Sequence, residues 1–467
     1  MTIPTPIDAN LPIAAARGVE SMEAARAWCR ARGVEDIECI VPDMAGVARG
    51  KLMPAEKFFK ADPMTLPASI FTQTITGDYP RDNALYAESI TDGDLILMPD
   101  LSTLAIVPWA SDPTAQVLHD AFRKDGTPVD IAPRQVLQRV LALYGERGLK
   151  PVVAPEIEFY LVKPNIDPDY PLEPPVGRSG RPERARQAYS ISAVNEFEAL
   201  FDDVYAFSEA QGLEIDTLAH EDGTAQMEIN LRHGDPVELA DQVFLFKRTI
   251  REAALRHKMY ATFMAKPIAS EPGSSMHIHQ SILDIKTGRN VFSGEDGKPT
   301  PAFYHYIGGL QTYVPKAMCM MAPYVNSYRR FARNSTAPIN VRWGHDNRTV
   351  GLRVPLSQAE ARRVENRVPS ADANPYLAIA ASLACGYLGL VKAMEPDEPA
   401  DAMVPEETLT LPRSILDAVQ LLEGTPELVD VFGEAFVKVY RGVKETEFEN
   451  FMGVISPWER EYLLLAV

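Results

Sequence analysis

Glu156 and Glu158 stand two residues apart in the run 155–162, whose flanks read as a β-strand. Side chains alternate along a strand, so both carboxylates share one face, roughly 7 Å apart, while Ile157 and Phe159 turn to a core. Like charges on one strand face repel unless something positive lies near them. One such pair is an ordinary solvated face, but three later strands repeat the arrangement. Residues 220–231 alternate from Gln226 onward, with Gln226, Glu228 and Asn230 on one side and Met227, Ile229 and Leu231 on the other; Glu221 stands just before. Residues 275–282 alternate again and bring His277, His279 and Ser281 together. A single strand histidine is usually a satisfied core or surface residue; two at i and i+2 opposite an apolar row are a candidate ligand pair.

Residues 329–367 carry nine arginines and no lysine, in a chain of net charge −18. Arginine offers a planar fork that grips carboxylates and phosphates with two hydrogen bonds, where lysine offers a point charge. Two parts, 350–355 and 363–369, read as strands, and the second puts Arg363, Glu365 and Arg367 on one face. A solvated basic patch is the plain alternative, weakened because Val and Leu hold most of the alternate positions.

Four or five strands thus send an apolar row one way and a charged row the other. That is the pattern of a curved, largely antiparallel sheet with helices on its apolar face and a polar cavity on the other. The cavity collects Glu156, Glu158, Glu221, Glu228, Glu365 and His277 with Arg330, Arg348, Arg353, Arg363 and Arg367. Carboxylates at this density call for divalent cations, and oxygen-rich ligation with one imidazole suits Mg²⁺ or Mn²⁺ rather than zinc. Two metals beside an arginine cluster are equipment for phosphoryl transfer. No GxxxxGK[ST] run occurs, so a nucleotide is not held by a P-loop.

The elements that must carry these residues are legible in outline. Residues 21–32 predict a helix, with Ser21 as cap and Gly33 as stop; 37–41, 94–99 and 104–108 predict strands. Together they make 1–120 a small α+β domain, and residues 125–133 lead into a larger domain, 121–467. There, 133–144 and 235–257 predict helices and 259–264 a strand. The loop 164–182, dense in Pro and Gly, is long enough for a functional flap or a contact with a neighbour. Residues 376–391 are uncharged, rich in Ala and Gly and short for a membrane span; after Asn374 and Pro375 they predict a buried helix.

The chain has 467 residues, enough for two to three cores, with 46% hydrophobic and 24% charged residues. Its acidity argues against nucleic-acid binding, which draws affinity from surplus Lys and Arg. Cys29, Cys39, Cys319 and Cys385 lie far apart with no CxxC pair, so neither a zinc site nor a disulfide framework is indicated and a cytoplasmic setting is expected. No signal peptide or membrane segment is expected.

These motifs resemble those of a type I glutamine synthetase over nearly the whole chain: PEIEFYLV (155–162), HEDGTAQMEINL (220–231), GSSMHIHQS (273–281), NSYRRF (326–331), NRTVGLRVP (347–355) and ARRVENRVP (361–369) followed by ANPYLAIAA (373–381). The resemblance implies a β-grasp-like N-terminal domain and a catalytic domain with an antiparallel half-barrel sheet packed by helices. It implies two divalent cations per site, one held by Glu158, Glu221 and Glu228, the other by Glu156, His277 and Glu365. Glu158, Gly273, Arg330 and Arg367 would bind glutamate. Arg348, Arg353 and Arg363 would face the ATP phosphates, with His279 and Ser281 near the nucleotide and Arg348, Arg353 and Glu228 acting in catalysis. It further implies a homo-oligomer, a dodecamer of two hexameric rings, each site shared between neighbours; the apolar residues 462–467 would suit a segment clasped by another subunit. The implied chemistry is phosphorylation of the glutamate γ-carboxylate by ATP and displacement of phosphate by an amine.

The sequence departs from the ammonia-using members at informative points. A Glu just before Ala-Pro in their flap is Thr336 here, ahead of Ala337 and Pro338, and their N-terminal DGSS motif is absent from 71–78. Losing those two acids removes the attraction for NH₄⁺, so the acceptor is expected to be a larger amine, a polyamine such as putrescine or spermidine or a monoamine. Thr336 is then an amine-pocket candidate, and Asp78 and Glu88 are candidates to take the amine's proton. Pro272 stands where an Asn usually helps hold glutamate, and no Tyr lies between Glu395 and Ile415 to be adenylylated. Two alternatives stay open: a glutamine synthetase using ammonia, and a non-catalytic scaffold or nitrogen sensor, which the six intact candidate ligands disfavour.

Overall fold

The computed structural model describes residues 16–60, 63–80, 91–332, 337–400, 402–404 and 411–467. The N-terminal part runs α1 (Met22–Ala31), β1 (Asp36–Pro42), β2 (Ala48–Pro54), α2 (Ala55–Phe58), β3 (Met64–Pro67), β4 (Asp94–Pro99), β5 (Ala105–Ile106) and β6 (Thr114–Phe122). The next stretch runs α3 (Pro133–Gly145), β7 (Leu149–Val162), α4 (Ile191–Asn195), α5 (Glu198–Gln211), β8 (Ile215–His220), β9 (Gln226–Leu231), α6 (Pro236–Arg256), β10 (Tyr260–Thr262) and β11 (Met276–Asp284). Then come α7 (Pro301–Met321), α8 (Val325–Tyr328), β12 (Trp343–His345), β13 (Leu352–Val354), β14 (Val364–Asn366) and α9 (Pro375–Lys392). Four helices end the chain: α10 (Ile415–Glu423), α11 (Pro426–Phe432), α12 (Glu434–Met452) and α13 (Pro457–Leu463).

The N-terminal strands form one mixed sheet in the order β2-β1-β6-β4-β3, with β5 also on β6. β6 pairs in parallel with β1 through its first half and antiparallel with β4 through its second. This strand was not foreseen. Its side chains are buried on both faces, so its sequence lacks the alternation that marks a half-exposed strand. The strand expected at 104–108 shrinks to two residues, because the Leu104 N–H is drawn into a turn with Leu101 O and Pro108 has no N–H to give. Arg134 on α3 ties this sheet to the larger domain, pairing with Asp120 at 2.7 Å and with the buried Asp241 of α6 at 3.0 Å.

The second sheet is curved, in the order β12-β13-β14-β11-β7-β9-β8, with β10 also on β7; every neighbouring pair is antiparallel except β12 with β13. The expected half-barrel is therefore present. β7 is its spine: Ile157, Phe159 and Leu161 are fully buried toward the helices, leaving the alternate row to the concave side. Helices α3, α6, α7 and α9 pack on the apolar face. α9 starts where Asn374 accepts the N–H groups of Tyr376 and Leu377 and Pro375 occupies the first turn. It is long and apolar enough to cross a membrane, yet 83% of it is buried inside the fold. α7 and α9 cross so closely that a Cβ on Gly309 would sit 2.5 Å from Gly389 Cα, so only glycine fits.

Candidate active site

Strand register builds the site. Antiparallel pairing sets Glu156 of β7 opposite His277 of β11, Glu158 of β7 opposite Glu228 of β9, and His279 of β11 opposite Glu365 of β14. Four adjacent strands thus deliver acids and imidazoles to one concave patch, the floor of a cavity of about 300 Å³. Glu156, Glu158, Glu221, Glu228, His277, Glu365, Gly273, Arg330, Arg348, Arg353 and Arg367, all singled out from the sequence, line it. Ligand atoms of Glu156, His277 and Glu365 lie within 4.8 Å of one another, and so do those of Glu158, Glu228 and His277. Glu221 shares the cavity but stands outside both trios.

Each donor is held in place. His277 Nδ1 lies 3.4 Å from Glu156 and 3.6 Å from Glu365, and Nε2 lies 4.0 Å from Glu158. Glu158 accepts the Ser275 N–H at 2.8 Å and the Gln226 amide at 3.2 Å. Glu365, 1% exposed, is clamped by Arg353 at 2.8 Å on one oxygen and by Arg367 on the other. His279 meets Glu156 at 2.9 Å through Nε2 and accepts from Arg363 Nε at 3.1 Å through Nδ1. His279 and Arg363 therefore brace Glu156 from outside the cavity, and Ser281 lies further along β11, two residues past His279.

The protonation pattern follows from this bracing. Burial raises Glu156, but hydrogen bonds from His277 and His279 outweigh it and hold the carboxyl well below its usual range. Glu365 is likewise raised by burial and then pulled down to about 2 by His277, Arg367 and His279. Glu228 goes the other way: burial, then the charges of Glu156, Glu158 and Glu221, push it up to about 9. Glu221 rises to about 7 through burial and Glu158. Carboxylates forced to keep protons by one another are what a divalent cation would relieve, and one imidazole among acid oxygens suits a hard ion. Asn230 Oδ1, Arg353 Nε and Arg367 Nε are buried without a hydrogen-bond partner, so the walls hold unused polar atoms for a ligand.

Arg330, 2% exposed, donates to the carbonyls of Val368 (2.8 Å) and Arg367 (2.9 Å), and burial lowers its pKa to about 10. Gly273 is required beside it: a Cβ there would meet Arg330 Cγ at 2.6 Å and Ala265 O at 2.7 Å. Thr336 and Glu88 lie outside the described residues. Asp78 is described but not in this cavity; its carboxylate accepts from Thr76 at 2.8 Å and from Asn450 of α12 at 2.9 Å. The sequence reading missed Tyr189 and Asp222, which line the cavity with Pro272, Ala337 and Pro338. Tyr189 follows the long Pro-rich loop and has φ +61°, a conformation no periodicity announces.

A half-barrel whose concave face gathers acids and imidazoles beside buried guanidinium groups defines a metal-dependent enzyme that handles anionic, phosphate-bearing substrates. Comparison with known proteins agrees: residues 130–463 match the family described as "Glutamine synthetase, catalytic domain". The chain belongs to the glutamine synthetase family and is an ATP-dependent ligase of it, a glutamate–amine ligase. It is 36% identical to the γ-glutamylputrescine synthetase PuuA of Escherichia coli K12, covering 92% of this chain and 91% of that one. It is 32% identical to a glutamate–isopropylamine ligase of a Pseudomonas species (93% and 96% covered) and 33% identical to the glutamine synthetase of Pyrococcus abyssi (90% and 92%). Among solved structures it resembles ligand-free GmaS, with a TM-score of 0.79 at 27% identity over 94% of this chain and 99% of that one.

Proposed function

We propose that this enzyme joins the γ-carboxylate of glutamate to an amine larger than ammonia, a polyamine such as putrescine or spermidine or a monoamine. The observation that carries this reading is that Tyr189, Asp222, Pro272, Ala337 and Pro338 are among the residues lining the cavity. An aromatic ring and apolar side chains next to a carboxylate fit an alkylammonium, whose charge meets the acid and the ring face while its carbon chain meets the prolines. Thr336, neutral where ammonia-using relatives have an acid, supports the same reading. So do relatives named for putrescine and isopropylamine.

In the proposed reaction, Glu158, Glu221 and Glu228 would hold one divalent ion and Glu156, His277 and Glu365 a second, Mg²⁺ or Mn²⁺. Bound there, such ions would neutralise the phosphates and the γ-carboxylate. Arg330 and Arg367, with the open backbone at Gly273, orient glutamate. Arg348 and Arg353 face the triphosphate, with Arg363, His279 and Ser281 toward the nucleotide. An oxygen of the γ-carboxylate attacks the γ-phosphorus, the bond to the β–γ bridging oxygen breaks and ADP leaves. The resulting γ-glutamyl phosphate is attacked at its carbonyl carbon by the amine, and the C–O bond to phosphate breaks. An alkylammonium has a pKa of about 10, so it must lose a proton first. We assign that role to Asp222, which lines the cavity and pairs with Arg186 at 3.4 Å. Arg353, already anchored by Glu365 and by Asp346 at 2.6 Å, needs little reorganisation to meet charge developing on the transferred group.

The homo-oligomer implied by the family, a double ring of twelve, is part of this proposal. Trp458, Leu464, Leu465 and Val467 are 62–96% exposed, a run of apolar surface fitted to a second copy. Asp78 would then serve a neighbour's site rather than its own. The test is glutamate-dependent ADP release with Mg²⁺ against ammonium, putrescine, spermidine, ethanolamine and methylamine. Preference for a carbon-bearing amine is expected. Activity with ammonium alone would return the enzyme to glutamine synthesis, for which Glu221 and Asp222 supply negative charge.

A further inference from the structure

Glu183, on the segment between β7 and α4, is partly buried, with 7% of its side chain exposed. Its Oε2 accepts from His220 Nε2 at 3.1 Å and from the Ala225 N–H at 2.8 Å, and its Oε1 accepts the Gln187 amide at 3.0 Å. His220 and Ala225 are the two ends of the turn that carries Glu221 and Asp222, and Ala225 sits at φ +53°. In return, the Tyr189 N–H donates to His220 O at 2.8 Å. One carboxylate oxygen therefore spans the turn on one side, and its own segment presents Tyr189 on the other. Tyr189 and Ala225 both occupy the left-handed region, which is strained for a non-glycine residue and persists only where surrounding bonds enforce it.

We propose that Glu183 is a positioning residue for the acceptor side of the site: it fixes Tyr189 and Asp222 against each other and so sets which amine is accepted and how tightly. The proposal rests on the reading that this wall faces the amine. The phosphoryl side meets Glu183 only through Glu221, whose carbonyl oxygen accepts from His220 Nδ1 at 2.7 Å. Glu156, His277 and Glu365 are braced by strand pairing and by Arg353 and Arg367, and the Glu221 N–H is held by Gln226 O at 2.8 Å within its own hairpin. The loss of Glu183 should therefore fall more heavily on capture of the amine than on phosphorylation of glutamate.

The experiment compares the full-length enzyme with Glu183→Ala, Glu183→Asp and Glu183→Gln. Two readouts are taken: scrambling of bridge ¹⁸O label in ATP with glutamate and Mg²⁺ but no acceptor, and KM for hydroxylamine and for the amine the unaltered enzyme uses best. Glu183→Ala is expected to raise acceptor KM at least about tenfold and to alter the preference between amines, with scrambling reduced by a clearly smaller factor. Glu183→Asp, one methylene too short to reach both donors, behaves alike and supplies the comparison should Glu183→Ala not fold. Glu183→Gln keeps an accepting oxygen at the same reach and stays within about threefold of the unaltered enzyme. An unchanged acceptor KM, scrambling that falls in step with amide formation, or a Gln variant as impaired as Ala would each overturn the proposal. Hydroxylamine reads the acceptor side whichever amine is natural, so an enzyme found to use ammonium alone would remove the acceptor reading and leave this comparison standing.

Discussion

Metal binding to this site should release protons. Without a cation, Glu228 is pushed up to about 9 and Glu221 to about 7, whereas Glu156 and Glu365 are already ionised near neutrality. At pH 7 the first two together carry ~1.5 protons, and a divalent ion needs both carboxylates bare. Mg²⁺ affinity should therefore climb about a hundredfold from pH 7 to pH 9, most of it from Glu228, and level off above. The stability of the metal-free protein moves oppositely. A carboxyl whose folded pKa is raised contributes fully below its unfolded value near 4.5 and loses that contribution as pH rises through 7 and then 9, so the metal-free melting temperature falls over that window and Mg²⁺ restores it. Titration calorimetry in two buffers of different ionisation heat counts the protons directly, and Glu228→Gln should lower the count at pH 7 by about one. Affinity that does not change between pH 7 and pH 9, with no buffer-dependent heat, would refute the reasoning.

Three further outcomes are expected. Arg353→Ala removes the donor proposed to meet phosphoryl charge and leaves Glu365 with one clamp fewer, so kcat should fall about 10²–10³-fold with a smaller change in KM for glutamate, measured by steady-state ADP release. Gly273→Ala places a methyl against Arg330 and Ala265 O; KM for glutamate should rise more than KM for ATP. Removing residues 454–467 strips the exposed apolar tail and should shift the particle to a smaller size by light scattering while the core stays folded by circular dichroism.

Most of the catalytic face was legible because it obeys a period of two. Glu156 with Glu158, Gln226 with Glu228 and Asn230, and His277 with His279 each announce their side of the sheet, and antiparallel pairing does the rest. Pairing also decides what alternation alone leaves open: His279 and Arg363 share the charged row, yet they hold Glu156 from behind instead of lining the cavity. The rest was hidden for physical reasons. β6 is buried on both faces and has no alternation to show. Tyr189, Asp222 and Glu183 sit on turns whose conformation is set by contacts across the chain, the His220 and Ala225 bonds above all, and no local pattern encodes those.

The most direct measurement is the fate of label from glutamate carrying ¹⁸O in both γ-carboxylate oxygens, incubated with ATP, Mg²⁺ and the preferred amine. Attack of that carboxylate on the γ-phosphorus requires one labelled oxygen in each phosphate released and one retained in the amide, as read by mass spectrometry. Phosphate free of label would contradict it, whatever the amine.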